Sequence, residues 1–171
     1  MGGSGGSAGV DPSDLRRLER EAKRILRGDG EGQKRNVFLS FNSTDLDSVN
    51  LLRGQARNEN SELEFKDWSV KVPFDSGEAE YIRRKIRERI RQCSVTIVFL
   101  SGETAESRWV DWEVRESLRL GKGVVGMYQG KAPPARMPAV IGEKAIRVVP
   151  WRHRDLSRAV ERAAEERGGS R

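Results

Sequence analysis

Residues 94–100 read SVTIVFL, the most strand-like run in the sequence. A continuous apolar run of this length is typical of a strand buried on both faces, as in a parallel sheet covered by helices. Further candidate strands, with apolar residues at helical spacing between them, lie at residues 36–41 (NVFLSF), 63–65, 123–128 (GVVGMY) and 145–149. Strands that alternate with helices form right-handed βαβ units. The pattern predicts an α/β domain with a five-stranded parallel sheet in the order 2-1-3-4-5 and residues 95–100 at its centre.

The segments around this domain differ from it in composition. Residues 1–10 (MGGSGGSAGV) are rich in glycine and serine and predict a flexible leader. Residues 11–33 predict an N-terminal amphipathic helix and a linker, because Leu15, Leu18, Ala22 and Ile25 form one apolar stripe. We expect this stripe to pack on the domain or on a second copy of the chain. The α/β domain is assigned to residues 34–166, and residues 167–171 to a flexible tail.

Composition narrows the classes of partner and the compartment. The net charge of +6 favours anionic partners, and a nucleotide ligand would satisfy this preference. Because the 26 acidic residues are interspersed with the 32 basic ones, binding of nucleic acid is not expected. No apolar run reaches the ~20 residues that a membrane span needs. The single cysteine, Cys93, excludes an internal disulfide and fits a reducing, cytoplasmic location.

Two motifs in the sequence lack the context that their chemistry requires. Gly121, Gly123 and Gly126 match a dinucleotide-binding fingerprint, but they follow a predicted helix and enter a strand, which is the reverse of the required order. The single histidine, His153, is far from Cys93 in sequence, and neither has supporting ligands nearby. We therefore expect no metal site and no cysteine–histidine catalytic pair.

Ligands of open α/β sheets bind outside the carboxyl ends of the strands. This rule selects four segments of the chain, at residues 40–45, 66–76, 101–113 and 128–138. Within the first three, we predict that Ser40, Asn42, Trp68 and Ser101 contribute to binding the substrate.

The pair Trp109 and Glu113 is the most informative feature of these segments. Residues four apart project from the same side of a helix, here one predicted over residues 104–120. Val110 and Val114 would anchor this helix to the sheet and leave Trp109 and Glu113 at the edge of the contact, beside the ligand crevice. A carboxylate beside a large aromatic side chain suits a cationic or cation-forming sugar. The alternative is a half-buried tryptophan and an exposed glutamate with no chemical role.

Several stretches together resemble a TIR domain. They are residues 35–42 (RNVFLSFN), 65–70 (FKDWSV), 82–100, 107–114 (SRWVDWEV) and 120–126 (LGKGVVG). More narrowly, they are similar to the bacterial and archaeal TIR-like family that includes the NAD-processing protein of the Thoeris anti-phage system. The resemblance covers residues 35–162 and implies a flavodoxin-like fold of three layers.

The family resemblance implies cleavage of the bond between nicotinamide and ribose in NAD, with NAD as the substrate and no further cofactor. The catalytic glutamate of the family falls on Glu113, and its tryptophan on Trp109. The family's aromatic residue near the end of the first strand falls on Phe38. Residues 68–77, which include Trp68, correspond to a loop that helps to form the site and can shift on assembly. The product, ADP-ribose or a cyclic isomer, would act as an immune signal on a separate effector protein in bacterial defence.

The sequence also allows a non-catalytic TIR-type interaction domain. In that alternative, residues 68–77 and a basic helix over residues 80–91 would be contact surfaces. Self-association would use the TIR surfaces or the N-terminal helix. Otherwise we expect the basic side chains of this helix to face solvent; they are Arg83, Arg84, Lys85, Arg87, Arg89 and Arg91.

Overall fold

The computed structural model describes residue 19 and residues 35–58, 63–66 and 72–168. The chain divides into two units, Met1–Gln33 and Lys34–Arg171, and all the described residues except Glu19 belong to the second. The predicted leader and the apolar stripe of the predicted N-terminal helix lie outside the described residues.

Five parallel strands form the sheet, in the order β2-β1-β3-β4-β5. The predicted strand order is confirmed, and so is the central position of β3, all six residues of which are buried. The strands are β1 (Arg35–Ser40), β2 (Leu63–Lys66), β3 (Val95–Leu100), β4 (Gly123–Tyr128) and β5 (Val148–Pro150).

Helices cover both faces of the sheet and give the three layers expected of a flavodoxin-like fold. The face formed by Val37, Leu39 and Ile97 packs against the first and last helices. The opposite face, which contains Phe38 and Val98, packs against the other three. The helices are α1 (Leu46–Asn58), α2 (Ala79–Arg91), α3 (Arg108–Arg119), α4 (Ala139–Glu143) and α5 (His153–Gly168).

Two helix starts differ from the predicted ones because short polar side chains cap them. Asn42 caps a 3-10 turn, Ser43–Asp45, by accepting the Thr44 N–H at 3.0 Å, so Thr44 is not the cap that its spacing to Asp47 suggests. The helix predicted over residues 104–120 is interrupted at Ser107. The Ser107 side chain accepts the Val110 N–H at 3.3 Å and starts α3.

The fifth strand begins three residues later than predicted. Residues 139–143 form α4, which the sequence analysis missed, and Ala145 follows it with a φ of 49°. A non-glycine residue with positive φ is not part of a strand. The chain therefore enters the sheet only at Val148.

Arg84 and Arg91 of α2 are exposed to solvent, but Arg83 and Arg87 are largely covered, so the prediction of a solvated face is wrong for these two. The side chain of Arg87 is 24% exposed, and its Nε lies 2.6 Å from Oε1 of Glu116 in α3. The side chain of Arg83 is 19% exposed and lies against aromatic rings. These two arginines join α2 to neighbouring segments, because their guanidinium groups contact Phe74 and Glu116.

Two small residues mark places where the interior is closely packed. A Cβ atom on Gly123 would lie 2.4 Å from the carbonyl oxygen of Ala163, so only glycine allows α5 to approach β4 this closely. Cys93, 3% exposed, lies in the cluster between α2 and the sheet. Burial raises the pKa of the Cys93 thiol to about 11.

None of the helices that the structure describes combines the length and the apolar character needed to cross a membrane.

Candidate active site

The end of β1 and the second turn of α3 bring Ser40 and Glu113 together. Side chains alternate along a strand, so Ser40 lies on the same face of the sheet as Phe38, the face that α3 covers. Ser40 Oγ donates a hydrogen bond to Glu113 Oε2, and both residues are 0% exposed. Burying a carboxylate costs free energy unless hydrogen bonds offset the lost hydration. The prediction that Glu113 lies at the edge of the helix–sheet contact is therefore wrong, since the residue lies inside it.

Trp109, one helical turn before Glu113, is 8% exposed and lies among aromatic residues. Its Nε1 donates to the carbonyl oxygen of Val72 at 2.7 Å. Its ring meets those of Phe74 and Trp112 edge-on, with centroids 5.0 and 6.0 Å away. Phe38 belongs to the same buried cluster. The fold thus places four predicted site residues, Phe38, Ser40, Trp109 and Glu113, on one side of the sheet.

Residues 72–77, here called the cover segment, are attached to this cluster by cationic side chains. Arg83 of α2 donates from Nη2 to the Phe74 carbonyl oxygen at 2.8 Å, and its guanidinium carbon lies 4.3 Å from the centre of the Phe74 ring. The guanidinium carbon of Arg108 lies 4.5 Å from the same ring, and Arg108 also pairs with Asp75. Phe74 is therefore held by two arginines and by the edge contact with Trp109.

Asn42 and Ser101 belong to a second polar network, which ties the loop after β1 to the loop after β3. Ser101 Oγ donates to Asp45 Oδ2 at 2.6 Å, and Asn42 Nδ2 donates to the carbonyl oxygen of Glu103 at 3.3 Å. Burial raises the pKa of Asp45, the Ser101 hydrogen bond opposes this, and the charge of Glu103 adds to it. Asn42 and Ser101 thus hold these loops in place, and a substrate would have to replace some of their bonds.

Glu116 of α3 is the centre of a group of ion pairs between α3 and α2. It is 7% exposed and accepts hydrogen bonds from Arg87 Nε at 2.6 Å and Arg119 Nε at 2.9 Å. The hydrogen bonds from Arg119 and then Arg87, together with their charges, lower the pKa of Glu116 to about 2. The resulting ion-pair network joins α2, which carries Arg83, to α3, which carries Glu113.

The structure adds residues that sequence reasoning did not single out and leaves one predicted residue unplaced. Trp68 lies outside the described residues. Phe74 and Asp45 fall within segments that the strand-end rule selected, but nothing in their spacing distinguishes them from their neighbours. The sequence does not distinguish Arg83 from the five other basic residues of its helix. Only the folded chain shows that its guanidinium reaches Phe74.

The groups available for chemistry in the site are the buried carboxylate of Glu113, the hydroxyl donor of Ser40 and the aromatic rings around Trp109. Within residues 35–58, 63–66 and 72–168, no group of three histidine, cysteine, aspartate or glutamate side chains is placed to bind a metal ion. A carboxylate in surroundings of low polarity interacts strongly with any positive charge that develops beside it. The arrangement can stabilise a cationic sugar centre once a substrate reaches it.

Comparison with solved structures finds matches that include TIR domains. The RPS4 and RRS1 TIR domain heterodimer is 16% identical, with a TM-score of 0.49, and the match covers 78% of this chain and 94% of that one. The TIR domain of the Toll-related receptor TRR-2 from Hydra magnipapillata is 15% identical over 76% of this chain and 94% of that one, with a TM-score of 0.46. The CMP N-glycosidase BcmB of Clostridium botulinum is 13% identical over 74% and 98%, with a TM-score of 0.45.

Sequence comparison gives the family directly. No curated protein matches the chain significantly. The profile of the family described as "Thoeris protein ThsB, TIR-like domain" matches residues 38–133, which is more than half of the chain and includes both Ser40 and Glu113. A chain that matches over this length belongs to the TIR-like domain family of the Thoeris protein ThsB.

Proposed function

We propose that the protein cleaves the bond between nicotinamide and ribose in NAD, as a glycohydrolase or a cyclase. The observation that supports this most directly is the position of Glu113 and the hydrogen bond of its buried carboxylate. The sequence resemblance assigns Glu113 to the position of the family's glutamate, one turn from Trp109, and its carboxylate accepts a hydrogen bond from Ser40 in the interior. A single acidic group held in this way suits a reaction that needs charge stabilisation more than proton transfer.

The reaction needs only one carboxylate because the leaving group is already cationic. Ordinary glycosides require a second acid to protonate the departing oxygen. In NAD, the electron pair of the breaking bond neutralises the nicotinamide ring, which leaves without a proton. The ribosyl carbon becomes positively charged, and Glu113 stabilises that charge electrostatically. Water then attacks this carbon and releases a proton to give ADP-ribose, whereas an internal nucleophile gives a cyclic isomer.

Substrate access requires a change from the conformation described above. Glu113 is 0% exposed, so a ribose cannot touch it until neighbouring groups move. The cover segment is attached to the site by side-chain contacts, namely the Val72–Trp109 hydrogen bond and the contacts of Arg83 and Arg108 with Phe74. We infer that its displacement, on binding NAD or on self-association, opens the site.

Replacing Glu113 by Gln tests the catalytic role. The amide keeps the size of the side chain but removes its charge, which matters more in the transition state than in bound NAD. We expect kcat to fall by ~100-fold or more, the scale found when one preorganised electrostatic group is lost. The assay is mass analysis of nicotinamide and ADP-ribose species formed from NAD, with and without a crowding agent that promotes assembly.

Glu116→Gln is the matched control, because it removes a second buried carboxylate from the same helix. We expect this variant to lose stability but to retain kcat. Equal turnover by Glu113→Gln and the parent protein would contradict the catalytic assignment.

A non-catalytic interaction domain is the second candidate, and the complete burial of Glu113 is the observation that favours it. A chain that turns over no NAD, whether dispersed or assembled, but that binds a TIR partner would support this alternative.

If the protein is an enzyme, we propose that its product acts on a separate effector protein in anti-phage defence. Activation of an effector by the reaction mixture of the parent protein, and not by that of Glu113→Gln, would test this step.

A further inference from the structure

Two buried hydroxyl groups join the backbone of Glu113 to the centre of the sheet. Ser117 lies one helical turn after Glu113, and its Oγ donates to the Glu113 carbonyl oxygen at 2.7 Å. The same Oγ lies 2.7 Å from Oγ1 of Thr96 in β3. A hydroxyl has one hydrogen to donate, so Thr96 is the donor of this second bond. Thr96 and Ser117 are both 0% exposed.

The spacing of these contacts matches the geometry of the two elements. In the sheet, Phe38 pairs with Thr96 and Ser40 with Val98, so Ser40 and Thr96 are two residues apart along neighbouring parallel strands. Two residues of a strand span about 6.6 Å, which is close to the rise of about 5.4 Å along one turn of a helix. Helix α3 therefore meets the sheet at two polar points one turn apart, Glu113 with Ser40 and Ser117 with Thr96.

A buried helical serine commonly bonds to the carbonyl four residues earlier, and that bond alone would carry no further meaning. The partner in the sheet is what distinguishes this case. Thr96 is the single polar residue of β3, whose sequence is VTIVFL. Valine has nearly the same shape as threonine and brings no polar group into the interior. A buried threonine hydroxyl therefore costs free energy that valine would avoid, unless its hydrogen bond has a structural or functional role.

We propose that Thr96 and Ser117 are positioning residues that set the height and rotation of α3 on the sheet. By fixing the backbone of Glu113, they place its carboxylate against Ser40 and in line with the ribosyl carbon of the substrate. The proposal rests on the proposed function, because it concerns the same carboxylate. It adds two residues that contact no substrate, one of them in a strand on which no site residue was predicted.

Thr96→Val tests the proposal, since valine fills the same volume without the hydroxyl. Displacements of about 1 Å in a catalytic group can lower a rate by ~100-fold. We expect kcat for NAD to fall by about 10- to 100-fold, while KM changes by less than about threefold, because Glu113 acts chiefly in the transition state. Thr96→Ser, which keeps the hydroxyl, should retain most of the parent activity.

Ile97→Val is the matched control. It lies next to Thr96 in β3, points to the opposite face of the sheet, and loses a buried methylene group. We expect it to lower the midpoint of thermal unfolding at least as much as Thr96→Val does, with kcat unchanged. A general loss of stability would affect both variants alike, whereas loss of positioning affects only Thr96→Val.

A second readout keeps the test independent of turnover. The ¹³C resonance of the Glu113 carboxyl group, assigned by its absence in Glu113→Gln, should shift in Thr96→Val and Ser117→Ala but not in Ile97→Val. Parent-like kcat in Thr96→Val would overturn the proposal. If the parent protein turns over no NAD, the proposed function fails by itself. The resonance then decides, because an unshifted signal in Thr96→Val overturns the positioning role and a shifted one supports it.

Discussion

Arg83 offers a way to change access to Glu113 without replacing any of the predicted site residues. It joins α2 to the cover segment through one hydrogen bond, 2.8 Å from Nη2 to the Phe74 carbonyl oxygen, and through its guanidinium, 4.3 Å from the centre of the Phe74 ring. Arg83→Met keeps most of the aliphatic packing of the side chain and removes both interactions. We expect this variant to open the site more often.

The size of the effect follows from the two lost contacts. A hydrogen bond from a charged donor contributes about 1.5–3 kcal/mol, and a partly exposed cation–π contact about 0.5–1 kcal/mol. The net loss is smaller than the sum of these values, because the Arg83 side chain is 19% exposed and solvent screens part of its interaction. A net change of about 2 kcal/mol corresponds to an opening equilibrium that increases by roughly 30-fold.

Two measurements on Arg83→Met test this estimate. The Trp109 indole N–H donates to the Val72 carbonyl oxygen at 2.7 Å and so joins α3 to the cover segment; its hydrogen exchange reports opening of the segment and should become ~30-fold faster. While the closed form predominates, kcat/KM for NAD should rise by a similar factor. Arg84→Met is the control, because Arg84 is the next residue of the same helix and lies against Tyr81, 5.3 Å from its ring centre.

Two results would refute this reasoning. An unchanged exchange rate of the Trp109 indole N–H in Arg83→Met would show that the Arg83 contacts do not hold the cover segment. Faster exchange with an unchanged kcat/KM would show that the position of the segment does not limit access to Glu113.

Two further predictions concern stability. The pKa of Glu116 is lowered from its usual 4.5 to about 2, so the stabilisation from its bonds to Arg87 and Arg119 is complete above about pH 4.5 and is lost as the pH falls towards 2. Glu116→Gln should be less stable than the parent by about 1.5–3 kcal/mol at pH 7 in urea unfolding, with a smaller difference at pH 3; an equal difference at both values would contradict the assignment. Gly123→Ala should lower the unfolding free energy by about 1–3 kcal/mol or more, because its Cβ would lie 2.4 Å from the Ala163 carbonyl oxygen. Gly142→Ala, which has no atom within 4 Å of the added carbon, is its control and should be neutral or slightly stabilising, and equal losses in the two would refute the steric account.

The architecture could be predicted from the sequence because its signals are local. The apolar run in β3 and the helical spacing of residues such as Ile82, Ile86 and Ile90 depend only on near neighbours in the chain. Periodicity does not locate the start of a helix where one capping side chain decides between two possible first residues. Asn42 and Ser107 cap helices that periodicity alone begins elsewhere.

The interior of the site could be predicted only in part, since its contacts join distant positions. Glu113 was found from its spacing to Trp109 and from the family resemblance, but its hydrogen bond with Ser40 spans 73 residues. The attachment of Phe74 by Arg83 and Arg108 depends on how three segments meet. No periodic pattern reports such contacts, because each involves a single side chain from each segment.

The burial of Cys93 makes the chain suited to chemical timing experiments. It is the one thiol among the 171 residues, and it lies in the same cluster as Phe38 and Trp109. With a pKa of about 11 in the folded state, only about one molecule in a thousand carries the reactive thiolate at pH 8. A thiol reagent added to the folded protein will therefore modify Cys93 only as fast as this cluster separates. The modification rate reports the openings that expose Cys93, without any engineered label.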